Sequence, residues 1–403
     1  MVGILLLLQV MDGVDQAVLA FTAPYVRKDL GIGLELLGAA FSAAYIGTAI
    51  GAVIFGLLAD TIGRRFALCL SAFAFSAGCL CTVLVHSGAE LIAVRLVTGI
   101  ALGGLFPVVA SIIFTRVSKD LRASAVTLVS VGAAVGVSLC GPLVALIEPR
   151  FGWRSVFVIG GTVPAVLGIL AVIFISTPLS AGEEANHVRP VRRAMAAWNP
   201  LAGARDLFVH GRWKMTLLVW LAFISSAVPM FFSLSWLTTL AHAAHLGRAV
   251  TSLGPAVFTL SGLVIALVIS RVVDKVGILP VAVTTALGAP LFVLLGRSFG
   301  HDSVFLLACG LAGAASVSSV NLLGVVAGLL YPDALRSRGM GFAVGVMRLG
   351  AALVPGLGGV LIARGTPVNV LFTGLGIAPL VSALAVYLLW RQGRGLTGVS
   401  VAT

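Results

Sequence analysis

Residues Gly56 to Leu68 read GLLADTIGRRFAL. A short polar turn, Asp60 to Arg65, interrupts two apolar runs there. Its centre, ADTIG ending at Gly63, returns as VDKVG ending at Gly277. Asp60 and Asp274 stand 214 residues apart, and the same interval separates LRAS at Leu121 from LRSR at Leu335 and Gly136 from Gly350. A constant offset at separate places marks a duplicated unit.

Both copies are apolar. The chain has 403 residues, 59% hydrophobic and 10% charged, where a soluble domain has roughly 25% charged. No soluble core of this length hides so much apolar surface. The apolar runs are continuous rather than alternating, which predicts membrane helices and excludes a barrel. Twelve spans are expected, centred near residues 13, 48, 76, 101, 135, 165, 226, 261, 288, 314, 351 and 379. The longest polar interval divides them six and six. The expected organisation is a six-helix bundle over 1–176, a cytoplasmic linker over 177–213, a second bundle over 214–392 and a cytoplasmic tail over 393–403.

With the N-terminus inside, 17 of the 26 Lys and Arg fall in cytoplasmic segments and 7 outside; the other two, Arg95 and Arg348, lie within spans. That bias predicts a multi-pass protein of the cell (plasma or inner) membrane with both termini cytoplasmic. The net charge of +12 therefore reflects topology, not nucleic-acid binding. The five cysteines lie in spans without metal-ligand spacing and read as small core residues. No nucleotide-binding motif, nucleophile–base pair or metal cluster appears, so no enzyme, cofactor or metal is expected.

Gly56, Asp60, Gly63, Arg64 and Arg65 match the loop signature between spans two and three of the major facilitator superfamily, which this stretch resembles. The later basic residue of that signature is absent. RLVTGIALGG, from Arg95, is similar to the superfamily's span-four pattern. Within the superfamily, MDGVDQAVLAF, FGWRSVFVIGG and the stretch from Tyr331 to Gly359 resemble the aromatic acid:proton symporters. SLSWLTTL resembles that family's span-seven motif with Thr238 replacing a proline. The resemblance implies an all-α fold of two pseudo-symmetric six-helix halves. It also implies a cytoplasmic gate at Gly56, Asp60, Gly63, Arg64 and Arg65, with Asp274 as a weaker second latch.

The residues carry a reading of their own. Twelve of the 14 acidic residues fall in loops or at span ends; only Asp12 and Asp15 lie deep. Ionisable groups within a membrane are candidates for function. At ~1.5 Å per residue, Asp12, Asp15 and Arg348 lie roughly 14, 18 and 15 Å from the cytoplasmic side, with Arg95 slightly above Asp15. Duplicated halves place a substrate site between them near the midplane. A carboxylate in a low-dielectric cavity holds its proton more tightly, and a neighbouring arginine opposes this. An anion competing for the arginine would then favour protonation. Asp12 and Asp15 are thus expected to couple protons. Arg348 and Arg95 are expected to bind substrate, guanidinium being a bidentate partner of carboxylate. A permanent Asp15–Arg95 pair is the structural alternative. Phe232 and Trp236 share a helix face suited to a ring, and Asn321 is read as a buried amide suited to a ring hydroxyl. Gly99 with Gly103, and Gly341 with Gly345, are expected at close helix crossings.

The expected function is proton-coupled import of small aromatic carboxylates by alternating access, the hydroxybenzoate or phenylpropionate type being implied by resemblance. The expected partners are a small organic anion, protons and the lipid bilayer, with the chain working as a monomer. The competing readings are a drug or metabolite efflux antiporter, a symporter of another organic anion, and a sensor that has lost transport. Against the antiporter, Gly141-Pro142 is followed by Leu-Val-Ala where that group carries a glycine pair.

Overall fold

A backbone in lipid must satisfy its own hydrogen bonds, so long apolar runs become helices. The computed structural model describes residues 1–118, 121–175, 207–208 and 212–396. The expected linker and tail fall almost wholly outside these. The described helices are α1 (Val2–Leu30), α2 (Leu34–Thr61), α3 (Arg64–Val83), α4 (Gly88–Gly103), α5 (Leu105–Arg116), α6 (Arg122–Phe151), α7 (Trp153–Phe174), α8 (Trp213–Ala243), α9 (Arg248–Val276), α10 (Leu279–Arg297), α11 (Asp302–Leu330), α12 (Asp333–Ala363), α13 (Val368–Leu375) and α14 (Ile377–Leu396). They supply twelve segments long and apolar enough to cross a membrane. The fourth, Gly88–Ile113, is broken where α4 meets α5, and the twelfth, Val368–Gln392, where α13 meets α14. The leucines at 349, 353, 357 and 361 are exposed in one stripe along α12, as a lipid-facing side requires.

The duplication shows in the backbone. Among the described residues, left-handed φ occurs at Gly31 (63°), Gly63 (90°), Gly152 (76°), His245 (58°), Gly277 (80°) and Gly365 (77°). These pair across the halves: Gly31 with His245 and Gly63 with Gly277 at the 214-residue offset, and Gly152 with Gly365 one residue short of it. Each pair ends or joins equivalent helices. His245 alone has a Cβ, which a left-handed conformation disfavours by about 1 kcal/mol. His245→Gly is expected to stabilise the protein by about that amount, read as a raised thermal midpoint in detergent.

Close crossings depend on absent side chains. A Cβ on Gly13 would strike the Ala133 carbonyl, and one on Gly136 the Val10 carbonyl, so α1 and α6 touch backbone to backbone. Gly99 and Gly103 of α4 meet α2 at Ala44 and Thr48, as expected. Gly341 and Gly345 do not repeat this: nothing lies within 4 Å of a Cβ at either. The equivalent crossing in the second half falls to Gly262 and Gly313, between α9 and α11.

The halves meet along α2 and α12, α6 and α9, and α1 and α8. Their contacts gather at the end where α1 finishes and α2 begins. Gly38 lies against Pro355 and Gly356, Gly359 against the Leu34 carbonyl, and Gly141 against Ser252. The Gly356 N–H donates to Ser42 Oγ at 2.9 Å. Tyr25 faces His242 with ring centroids 6.4 Å apart. One apolar core runs through this end, joining α1–α7 to Phe232, Trp236, Phe258, Phe292 and Phe372. At the other end the second half keeps a separate core around Phe223, Leu322, Tyr331 and Leu389. The bundle is therefore sealed at one end and split at the other.

Candidate functional site

The split leads to the ionisable groups. Asp15 on α1 and Arg95 on α4 form an ion pair at 3.1 Å with both side chains buried. Arg95 also donates to Thr82 Oγ1 at 2.7 Å and lies 5.2 Å from the centre of the Phe157 ring. The Cys79 thiol donates to the same Asp15 oxygen at 3.2 Å. Small residues admit the guanidinium: Gly78 lets Thr98 of α4 close against α3. These contacts join α1, α3, α4 and α7 around one buried ion pair.

Asp12, one turn away, is held otherwise. Its Oδ2 accepts from Gln9 Nε2 at 2.5 Å and from Gln16 Nε2 at 3.1 Å. Gln9, Asp12 and Gln16 recur at helical spacing on one stripe of α1. The opposite charge acting on Asp12 is Arg348 of α12, which also acts on Tyr45 of α2. Among the described residues Arg348 has no hydrogen-bond or ion-pair partner, and it is half-buried. An acid from one half thus faces an unpaired guanidinium from the other.

Beside them is a small cavity of about 30 Å³, lined by Asp15, Gln16, Phe41, Tyr45, Thr48 and Arg95 with apolar neighbours. Tyr45 crosses to the second half, its ring edge-on to Phe231 at 5.0 Å. The charge set is not duplicated. The 214-residue offset puts Ser226 opposite Asp12, Pro229 opposite Asp15 and Cys309 opposite Arg95. Ser226 bonds Ser382 at 2.8 Å.

The aromatic pair expected at the substrate is elsewhere. Trp236 is fully buried, donates to the Pro355 carbonyl at 3.1 Å and packs edge-on to Phe41 at 5.6 Å. Phe232 packs edge-on to Phe372 at 5.7 Å. The helical phase of α8 turns this face to α12 and α13; the rings at the cavity are Phe41 and Tyr45. Asn321 is not a buried amide: it is exposed, and its Nδ2 donates to its own helix at Val317 O, 2.8 Å away.

The loop arginines tie down neighbours in their own half. Arg64 donates to Ser111 O at 3.1 Å, and Arg65 to the Val172 carbonyl in the last turn of α7. A Cβ on Gly56 would meet nothing within 4 Å, while Gly63 supplies the turn. The side chains of Asp60 and Asp274 lie outside the described residues.

Sequence reasoning missed Gln9, Gln16, Cys79, Thr82 and Tyr45. The glutamines were detectable as polar residues one turn either side of Asp12. The roles of Cys79, Thr82 and Tyr45 depend on which helices neighbour α1.

A family model described as Major Facilitator Superfamily matches residues 5–326. The chain is 30% identical to a gallate transporter of Pseudomonas putida, over 94% of this chain and 89% of that one. It is 27% identical to the 4-hydroxybenzoate transporter PcaK of Acinetobacter baylyi, over 94% and 88%. In fold it is similar to the inward open conformation of the xylose transporter XylE from E. coli, with a TM-score of 0.75, 19% identity, and coverage of 96% of this chain and 94% of that one.

Proposed function

The chain belongs to the Major Facilitator Superfamily, and from that premise we propose that it imports small aromatic carboxylates together with protons by alternating access. The observation that carries this is a buried carboxylate, Asp12, held by neutral amides and facing the unpaired guanidinium of Arg348 in the opposite half. Arg348 binds the substrate carboxylate. Asp12 carries the proton, being the acid that faces a guanidinium left unpaired and open to a substrate. Asp15 and Arg95 stay paired and hold α1, α3 and α4 in register. Phe41 and Tyr45 offer ring faces at the cavity. The relatives that transport gallate and 4-hydroxybenzoate support the substrate class.

The basic-loop bias puts the split end in the cytoplasm, so this is an inward-facing state. Arg64 and Arg65 then belong to the cytoplasmic gate that closes in the outward-facing state.

The test is uptake of labelled 4-hydroxybenzoate and a panel of related acids by proteoliposomes with an imposed inward proton gradient. Accumulation that a protonophore collapses is expected. Arg348→Lys keeps the charge but not the bidentate fork, and is expected to raise KM by about tenfold or more, the worth of a charged hydrogen bond. Failure to accumulate any panel acid, with gradient-driven export of cationic dyes instead, would replace importer with antiporter.

A further inference from the structure

We propose that Gln16 reports the protonation state of Asp12 to the cavity by turning its amide, offering an acceptor when Asp12 is ionised and a donor when it is protonated. This rests on the reading of Asp12 as the proton carrier.

Gln16 is exposed, although every other residue from Met11 to Ala23 is buried. It lines the cavity while its Nε2 donates to Asp12 Oδ2 at 3.1 Å. With Nε2 committed to Asp12, the other end of the amide, Oε1, is what remains for the cavity. An ionised carboxylate only accepts, whereas a neutral carboxyl also donates one O–H. Ionised Asp12 therefore takes the amide's donor and leaves its acceptor facing the cavity, where it repels a substrate carboxylate. Once Asp12 holds a proton, its O–H requires an acceptor. Half a turn about the last side-chain bond brings Gln16 Oε1 to Asp12 and swings the NH2 into the cavity. That NH2 then donates to the anion held by Arg348. No covalent bond changes beyond the O–H that the proton makes on Asp12.

Gln9 is the competing acceptor. Its Nε2 shares Asp12 Oδ2, and its Oε1 is buried without a partner. Turning Gln9 exchanges one orphaned atom for another, because its NH2 would then be enclosed and unpaired. Turning Gln16 leaves its NH2 beside open cavity, where substrate or water satisfies it. The exposed amide is therefore the one that moves.

The charged and titratable groups around Asp12 leave the role to these two side chains. On its own helix stands Asp15, committed to Arg95 of α4 and Cys79 of α3. From α12 comes Arg348, and from α2 Tyr45. The α6 surface beside it is Gly132, Ala133 and Gly136, none of which titrates, and the buried Cys140 thiol further along α6 acts on Asp15 instead. The ionisable groups placed here on α7 and α8, Arg154 and His242, contact α1 at its far end, at Asp29 and Tyr25.

The test is equilibrium binding of 4-hydroxybenzoate to the purified full chain between about pH 5.5 and about pH 8, where the ligand's carboxylate stays ionised. The wild type is expected to bind at least about fivefold more tightly at the acid end, the lower range of a coupling between two sites. Gln16→Met removes both amide functions at similar size. It is expected to keep binding through Arg348 and to cut the wild-type affinity ratio by at least about twofold, the remainder being the direct coupling of Asp12 to Arg348. Gln16→Asn, too short to span from Asp12 to the cavity, is expected to do the same and serves if the methionine variant does not fold. A folded variant that keeps the wild-type ratio overturns the inference and leaves the importer reading standing. Wild type that binds no panel acid at either pH overturns both.

Discussion

Asp12→Asn is expected to abolish gradient-driven accumulation while preserving exchange of substrate across the membrane. One coupled proton gives about tenfold accumulation per pH unit of gradient, since one unit is about 1.4 kcal/mol. Asparagine fits the site, because its amide oxygen still accepts from Gln9 and Gln16 can turn to accept from its NH2. The residue still fills the stripe on α1, and Arg348 still binds the anion. What is lost is the site where a proton rides. Accumulation should therefore fall to an equal concentration on both sides. Counterflow, in which unlabelled substrate inside draws labelled substrate in, should persist. Accumulation surviving in Asp12→Asn but failing in Asp15→Asn would move the proton to the ion pair.

Arg95→Met is expected to be the most destabilising substitution in the cavity wall. It strands Asp15 as a buried charge with only the Cys79 thiol beside it. Removing one partner of a buried pair typically costs about 3–5 kcal/mol. The double variant Asp15→Leu with Arg95→Met should recover much of that, because two apolar side chains often replace a buried pair at little net cost. Thermal denaturation in detergent reads both. If the single variant matches wild type in stability, Asp15 carries a proton when unpaired, and the pair belongs to the transport cycle rather than to the scaffold.

The parts of this architecture legible in sequence are those dictated by local physics. The turn at Gly63 and Gly277 needs a left-handed residue, so the repeat left matching glycines 214 residues apart. Asp12, Asp15, Arg95 and Arg348 stood out because charge within a span is rare. The pairing of Asp15 with Arg95 could be weighed from depth alone, and the geometry realises it. The orientation of α8 could not be read this way. It is set where the Trp236 N–H meets the Pro355 carbonyl, 119 residues away. Pro355 lies inside α12 and withholds a backbone donor there, and the Gly356 N–H donates to Ser42 of the other half. Phe232 and Trp236 do share a face, as their spacing implied, but a distant backbone decides where that face looks.

The sealed end has a consequence for how such a sequence drifts. Gly38, Gly356 and Gly359 bring two backbones together with almost nothing between them. Any substitution there adds atoms, and the nearest neighbours are backbone and the buried Trp236 indole at Gly38 and Gly359, and the Ser42 side chain at Gly356. Random change at these positions is therefore directional: each replacement acts as a wedge, and none can tighten the seam. Mutational load on this contact pushes the population of conformers one way, toward molecules that open on the sealed side. The compensating changes must arise elsewhere, at the split end, where side chains still have room to grow.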